Sequence, residues 1–197
     1  MILFFREIFP IVKRIFLLTF LVSTAVLSQA QDGLGLDHQL LLERNALEWT
    51  APEGPYRVIK NPTNRFQEYD FGIYLRKQKV EVRYHVVPAN PESDRELIPH
   101  LRAARMAMHL AGNDEDSYIA AHEMEPEELE TIYQADWGQL FYFPPKRIFS
   151  EAKNCQMLAL YREDVALCFV FLLFEEAPPS LPELSQLLRF QAPNLQN

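Results

Sequence analysis

The sequence has few of the residues from which common catalytic and redox sites are built. Its 197 residues include two cysteines, thirteen positions apart, and six glycines. Two cysteines at that spacing form neither a zinc-binding set nor a C-x-x-C redox motif. The chain also lacks a G-x-S-x-G nucleophile turn and a glycine-rich phosphate loop. These absences exclude the zinc-ribbon, thioredoxin-like, serine-hydrolase and P-loop classes as those motifs define them.

Two partial metal motifs fail at a required position. The segment from His122 begins as H-E-x-x-H, but the second histidine position is Pro126. The acidic loop from Asp114 to Glu125 spaces its carboxylates as a calcium loop does, but the position that needs glycine holds Ile119. We therefore expect no cofactor and no metal site, with weak calcium binding by this loop as the alternative.

The first thirty residues have the pattern of a secretory signal peptide. Lys13 and Arg14 precede an apolar run at 15–27, and small residues lead to Ala30. The run is shorter than the roughly 20 residues of a membrane-spanning helix. We expect cleavage after Ala30, export to the periplasm or the medium, and no membrane insertion after cleavage. An uncleaved N-terminal membrane anchor is the alternative.

The remaining residues, 31–197, predict one acidic domain. Removing residues 1–30 takes away three basic residues and one acidic residue, so the charge changes from −8 for the whole chain to −10. A strongly negative chain is repelled by nucleic acid and by anionic lipid. We therefore expect no nucleic-acid partner, and the length suffices for a single core.

The strongest local signal is an apolar hairpin near the C-terminus. Val165–Phe174 is a continuous apolar run, and 156–161 is rich in apolar residues. Such strands are buried on both faces of a sheet. With a two-residue loop at 163–164, Leu160 faces Leu167. This register puts the following residues on one face: Leu158, Leu160, Val165, Leu167, Phe169 and Phe171.

The same register predicts that the two cysteines do not form a disulfide. Cys155 and Cys168 would lie four residues apart along the sheet, about 13 Å by strand rise. A disulfide needs Cα atoms within about 7 Å. We expect two free core thiols, and a different register that pairs them is the alternative.

A second hairpin is predicted over 71–87. With the loop at Lys77 and Gln78, the alternating apolar residues of both strands fall on one face. Arg83 and other polar residues then form an outer, solvent-facing side. His85 faces Asp70 in this register. A carboxylate that orients a histidine occurs in many sites and also as an exposed cross-strand pair, so both residues are candidate binding residues.

Helices and further strands complete the prediction. We expect helices over 37–48, 100–111, 126–135 and 181–190, the last with a capping box of Ser180 and Glu183. In the second helix, Leu97, Leu101, Ala104, Met108 and Ala111 would face the sheet. His100 and His109 are nine positions apart on that helix, out of phase for a shared ion. Additional strands are expected over 56–60, 118–121 and 137–143.

The order of elements predicts an α+β domain, with a mainly antiparallel sheet of two hairpins plus extra strands and with helices packed on it. The segments 79–112 and 137–190 resemble the strand–turn–helix and three-strands–helix layout of PsbP-like domains. They also look like some small bacterial envelope proteins linked to gliding motility. The resemblance implies the fold and a non-catalytic accessory role, and it transfers no functional residue.

Aromatic residues are dense just before the double proline at 144–145. Trp137, Phe141 and Phe143 pack in the core on the simpler interpretation, and on the alternative they form a partly exposed partner-binding patch. The sequence predicts an exported, non-catalytic binding or assembly component of the bacterial envelope, with another envelope protein as its partner. The alternative function is a hydrolase or a small-ligand carrier whose site is assembled from scattered residues.

Overall fold

The computed structural model describes residues 33–59, 64, 66–89, 98–114 and 117–192. The predicted signal peptide and its cleavage site lie outside these residues, as do Leu97 and Asp116. The signal peptide and its cleavage site therefore remain predictions from the sequence.

The described residues form nine strands and four helices. The strands are β1 (Leu47–Trp49), β2 (Tyr56–Val58), β3 (Phe71–Leu75), β4 (Val80–Pro88), β5 (Ala120–Glu123), β6 (Trp137–Phe143), β7 (Asn154–Arg162), β8 (Ala166–Phe174) and β9 (Leu188–Phe190). The helices are α1 (Leu36–Arg44), α2 (Pro99–Leu110), α3 (Pro126–Glu128) and α4 (Leu181–Ser185), and α3 continues as a π-helical turn at Leu129–Tyr133. Within the described ranges, no helix combines the length and the apolar character that crossing a bilayer requires.

Seven strands form one antiparallel sheet in the order β2-β3-β4-β8-β7-β6-β5. Pairing of β4 with β8 joins the two predicted hairpins into this sheet. All nine residues of β8 are buried, as its continuous apolar composition predicts for a central strand covered on both faces. The α+β prediction is confirmed.

Each face of the sheet is covered by a different set of elements. The ribbon face packs under α1, α4, the π-helical turn and a two-stranded ribbon of β1 and β9. The helix face packs under α2 and the loop that carries Phe149. Side chains of β7 and β8 alternate between the two core layers. The helix-face residues of these strands are Cys155, Met157, Ala159, Leu167, Phe169, Phe171 and Leu173.

The register of the hairpin formed by β3 and β4 agrees with the prediction. Leu75 pairs with Val80, and Phe71 pairs with Tyr84. The expectation of a solvent-facing outer side is wrong at Arg83, whose exposure is only 8 %. The residue lies under Phe149, in a loop that the alternation of a single hairpin does not reveal.

The register of the hairpin formed by β7 and β8 is shifted by one residue from the prediction. Leu160 pairs with Cys168, not with Leu167. The loop has three residues, 163–165, because Asp164 adopts a left-handed conformation with φ of 57°. The shift moves Leu167, Phe169 and Phe171 to the face opposite Leu158 and Leu160, since side chains alternate along a strand.

Helix α2 presents a different stripe to the sheet from the one predicted. Ala103, Ala107 and Leu110 are fully buried, whereas Leu101 and Met108 are 57 % and 62 % exposed. At about 100° per residue, the buried face is rotated by roughly 110° from the predicted one. The helix face already holds several phenylalanines, so small alanine side chains allow the helix to approach closely.

Two predicted helices are shorter than expected because each is followed by a short strand. The first ends at Arg44 and β1 follows, and the last ends at Ser185 and β9 follows. Leu47 then pairs with Phe190. The predicted capping box is wrong, since Ser180 makes no side-chain capping hydrogen bond.

Candidate functional site

A cleft of about 470 Å³ lies on the helix face, between the sheet and α2. Strands β4 and β8 provide its floor, α2 provides one wall, and the loop before β3 provides another. The lining residues are Gln67, His85, Val87, Arg102, Arg105, Met106, His109 and Phe169. Four separate segments of the chain therefore meet in one concavity.

The floor consists of apolar and aromatic side chains from two paired strands. His85 of β4 lies directly opposite Phe169 of β8. Their rings are nearly parallel, with centroids 6.1 Å apart and an interplanar angle of 15°. Phe169 is almost fully buried and Val87 is half-buried. The cleft therefore offers an apolar surface beside a polar ring.

His85 stands beside Asp70, as the hairpin register predicts. The distance from His85 Nδ1 to Asp70 Oδ2 is 3.3 Å. The same Oδ2 accepts a 2.7 Å hydrogen bond from the backbone N–H of Val86. Nδ1 has no hydrogen bond to any described residue, so the contact is electrostatic and its alignment is poor. Asp70 is fixed by the strand backbone and stands at the side of the histidine.

The α2 wall carries two arginines. Arg102 and Arg105 are three positions apart, so they lie on the same side of the helix, next to the half-buried Met106. Neither guanidinium has an ion pair, a hydrogen bond or a ring contact among the described residues. Both side chains are exposed and line the cleft, so their charges are directed toward solvent and a bound molecule.

His109 closes the wall and is held from outside the helix. Its ring stacks on Phe66, with centroids 4.3 Å apart and an interplanar angle of 10°. Lys146 Nζ donates a 2.6 Å hydrogen bond to the backbone oxygen of His109 and lies 5.5 Å from the Phe66 ring centroid. Asn64 accepts hydrogen bonds from the backbone N–H groups of Phe66 and Gln67, which fixes the opposite wall.

A larger groove of about 630 Å³ lies on the same face of the sheet but has a different charge pattern. Its charged lining residues are Lys79, Arg83, Arg147, Glu81, Glu151 and Glu175, three of each sign. Arg83 already has an ion-pair partner, because its Nε lies 2.7 Å from Glu81 Oε1. We therefore place the candidate site in the smaller cleft, where neither arginine has an ion-pair partner among the described residues.

The aromatic residues singled out in the sequence lie elsewhere. Phe141 and Phe143 are 3 % and 2 % exposed and belong to the core on the helix face. Trp137 is half-buried at the edge of that core. The structure agrees with core packing for the two phenylalanines, which are not accessible to a partner.

Both thiols are buried and free, on opposite faces of the sheet. Cys155 belongs to the helix face and Cys168 to the ribbon face. Burial raises the pKa of both thiols well above the ordinary value. A thiol that stays protonated is a poor nucleophile. Neither cysteine lines the cleft.

The described residues contain no group of three or more potential ligands that could hold a metal ion. His100 is on α2 but does not line the cleft, whereas His109 does. The acidic loop of the failed calcium motif is described only in part, because Asp116 lies outside the described residues.

Comparisons with protein-family models, with curated proteins and with solved structures found no match to this chain. The resemblance to PsbP-like domains therefore stays a prediction from the order of elements.

The sequence predicts the Asp70–His85 pair but not the other residues that line the cleft beside His85. Arg102, Arg105 and His109 recur at spacings of three and four, which is the signal of one polar helix face. That signal alone does not identify the sheet residues that the face adjoins.

Proposed function

We propose that the protein is an exported binding protein that holds a small ligand in the cleft between α2 and the sheet. One observation carries this proposal: an apolar floor and several converging polar groups share a single concavity. Its volume of about 470 Å³ falls within the roughly 300–1,000 Å³ that is typical of small-molecule sites. Export rests on the predicted signal peptide.

Binding is favoured over hydrolysis by the chemistry of the lining. No serine, threonine, cysteine or tyrosine is among the described residues that line the cleft. His85 therefore has no hydroxyl or thiol partner there to activate, and its carboxylate neighbour Asp70 is engaged by the backbone of Val86. The described lining therefore has groups that recognise a ligand and no serine, threonine, cysteine or tyrosine that could act as a nucleophile.

Two tryptophan substitutions on the same helix test this proposal. Met106 lines the cleft, and Met108 is exposed and does not line it. Met106→Trp should fill the cleft, whereas Met108→Trp is the matched control. We would screen a metabolite library by ligand-observed NMR against the wild type and both variants.

Compounds that bind the wild type and Met108→Trp but not Met106→Trp are the expected result. If Met106→Trp binds every hit as the wild type does, or if no compound binds, the cleft is not a ligand site. Circular dichroism of each variant shows whether the fold is kept, so a loss of binding through unfolding is recognised.

A separate observation favours docking of another envelope protein as a second candidate function. Met108, Tyr118 and Ile119 are 62 %, 59 % and 39 % exposed and line one groove of about 340 Å³. Strand β5 lies beside them at the open edge of the sheet, and all four of its residues are exposed. Exposed apolar side chains next to an unpaired strand edge are typical of protein interaction sites.

A cross-linking pull-down from the envelope of the native organism tests this second function. The wild type should capture one stoichiometric partner, and Tyr118→Asp should lose it, because the change places a charge in the apolar groove. Leu36→Asp is a suitable control, since Leu36 is 70 % exposed on α1, which covers the opposite face of the sheet. Equal capture by all three proteins, or none by the wild type, would contradict docking at this groove.

A further inference from the structure

We infer that the ligand of the cleft is an organic anion with an apolar body, an inference that rests on the ligand-binding function proposed above. The cleft is lined by positive charge. Arg102 and Arg105 both line it, and neither has an ion-pair partner among the described residues. Arginine is always protonated near neutral pH and presents a planar fork of donors that matches carboxylate, phosphate and sulfonate groups.

Among the described residues of the lining, no acid competes with a ligand for the two arginines. No aspartate or glutamate is among the described residues that line the cleft. The nearest identified carboxylate, Asp70, touches the side of His85 and accepts the backbone N–H of Val86. In a chain with a net charge of −8, a cleft whose described lining has two arginines, two histidines and no acid differs sharply from the average surface.

The two histidines extend the same pattern around the cleft. His85 lies on the floor beside Phe169, and His109 lies on the wall, stacked on Phe66. His85 Nδ1 faces Asp70, and His109 Nε2 lies 3.3 Å from the backbone oxygen of Phe66, so the second nitrogen of each ring is the one that can donate a hydrogen bond to an anion.

The apolar floor of the cleft indicates the chemistry of the uncharged part of the ligand. Phe169, Val87 and Met106 are the apolar residues of the lining, and Val87 and Met106 are half-buried whereas Phe169 is only 2 % exposed. A fully inorganic anion would leave Val87 and Met106 without a contact. A molecule with a flat or aliphatic body therefore packs against Val87 and Met106, above Phe169, and turns its charged group toward Arg102 and Arg105.

A series of probes that share one apolar body and carry a negative, a neutral or a positive substituent tests the inference on the full protein. We would use naphthalene-2-carboxylate, naphthalene-2-carboxamide and naphthalen-2-ylmethylammonium, with affinities measured by NMR titration. The carboxylate should bind about tenfold more tightly than the amide, because two solvent-exposed charge pairs together are worth on the order of one tenfold step. The ammonium probe should bind more weakly than the amide.

Removing the two arginines should abolish the preference for charge and leave the apolar contact. In the double variant Arg102→Gln/Arg105→Gln, the carboxylate should bind no more tightly than the amide, and the affinity for the amide should not change. The double variant Arg76→Gln/Lys77→Gln is the control, since it removes two exposed charges in the β3–β4 loop, at the far end of β4 from His85. It should keep the preference for the carboxylate.

The outcomes separate this inference from the function on which it rests. Equal binding of amide and carboxylate to the wild type, or a preference for the ammonium probe, overturns the anionic class and leaves a ligand site in place. A carboxylate preference that survives Arg102→Gln/Arg105→Gln also overturns it. No binding by any probe at millimolar concentration overturns the inference together with the proposed function.

Discussion

Replacing Arg83 by alanine should lower the free energy of unfolding by about 2–6 kcal/mol. The guanidinium is buried, with its side chain 9 % exposed. Its Nε lies 2.7 Å from Glu81 Oε1, and its Nη1 donates a 2.8 Å hydrogen bond to the backbone oxygen of Phe149. The rings of Tyr69 and Phe149 lie 4.8 Å and 4.7 Å from the guanidinium carbon. Arg83 therefore ties the loop of Phe149 to the centre of the sheet.

The magnitude follows from these contacts. Leaving the carbonyl of Phe149 without its buried donor costs about 1–3 kcal/mol. Loss of two ring contacts adds about 1–2 kcal/mol in total, and loss of the ion pair with Glu81, whose side chain is 28 % exposed, adds at most about 1 kcal/mol. Arg83→Lys keeps the charge but not the planar group between two rings, so its cost should lie between those of the wild type and Arg83→Ala.

Urea denaturation, monitored by circular dichroism, measures the loss of unfolding free energy in Arg83→Ala and in Arg83→Lys. Arg57→Ala is the matched control, because Arg57 lies on the neighbouring part of the same sheet, is exposed, and contacts one ring, that of Tyr74, at 5.3 Å. Its cost should stay below about 1 kcal/mol. If Arg83→Ala cost no more than Arg57→Ala, the argument that Arg83 joins the loop to the sheet would be refuted.

Two further predictions concern stability. The thiols of Cys155 and Cys168 have a raised pKa in the folded state because of burial, whereas their ordinary value is 9.0. The folded state keeps protons that the unfolded state releases, so stability should be level below about pH 9 and then fall by up to about 2.7 kcal/mol per pH unit. Urea titrations across that range should show this fall, and a double alanine variant of the cysteines should delay its onset to higher pH. Lys79 adopts φ of 55°, so Lys79→Gly should raise the free energy of unfolding by about 0.5–1 kcal/mol, whereas Gln78→Gly should not. A destabilised Lys79→Gly variant in the same titration would contradict the assignment of strain to that turn.

Regular patterns were sufficient to predict the long strands. Strict alternation over 80–87 predicts the register of β3 with β4, and the burial of all of β8 follows from its apolar run. The bounds of β6, Trp137–Phe143, also match, because Pro144 stops the strand and Asp136 precedes it. These signals are local, and the structure agrees with each of them.

The short strands and the register of β7 with β8 depend on information that local sequence patterns do not contain. Strands β1 and β9 have three residues each, and their pairing joins the two ends of the domain. A three-residue segment has no periodicity of its own, so each was absorbed into a neighbouring predicted helix. The register of β7 with β8 depended on whether Asp164 would adopt a left-handed conformation, which aspartate tolerates but does not require.

The rotation of α2 explains why most of the cleft was missed. Large apolar side chains usually mark the buried stripe of a helix, and Leu101 and Met108 were assigned to it on that ground. The sheet beneath already holds bulky phenylalanines, so Ala103 and Ala107 face it. With that face buried, Met106 becomes a wall of the cleft beside Arg102 and Arg105, whereas the predicted orientation would direct it away from the sheet. The candidate site is therefore a consequence of packing against the helix face, which helical periodicity alone does not specify.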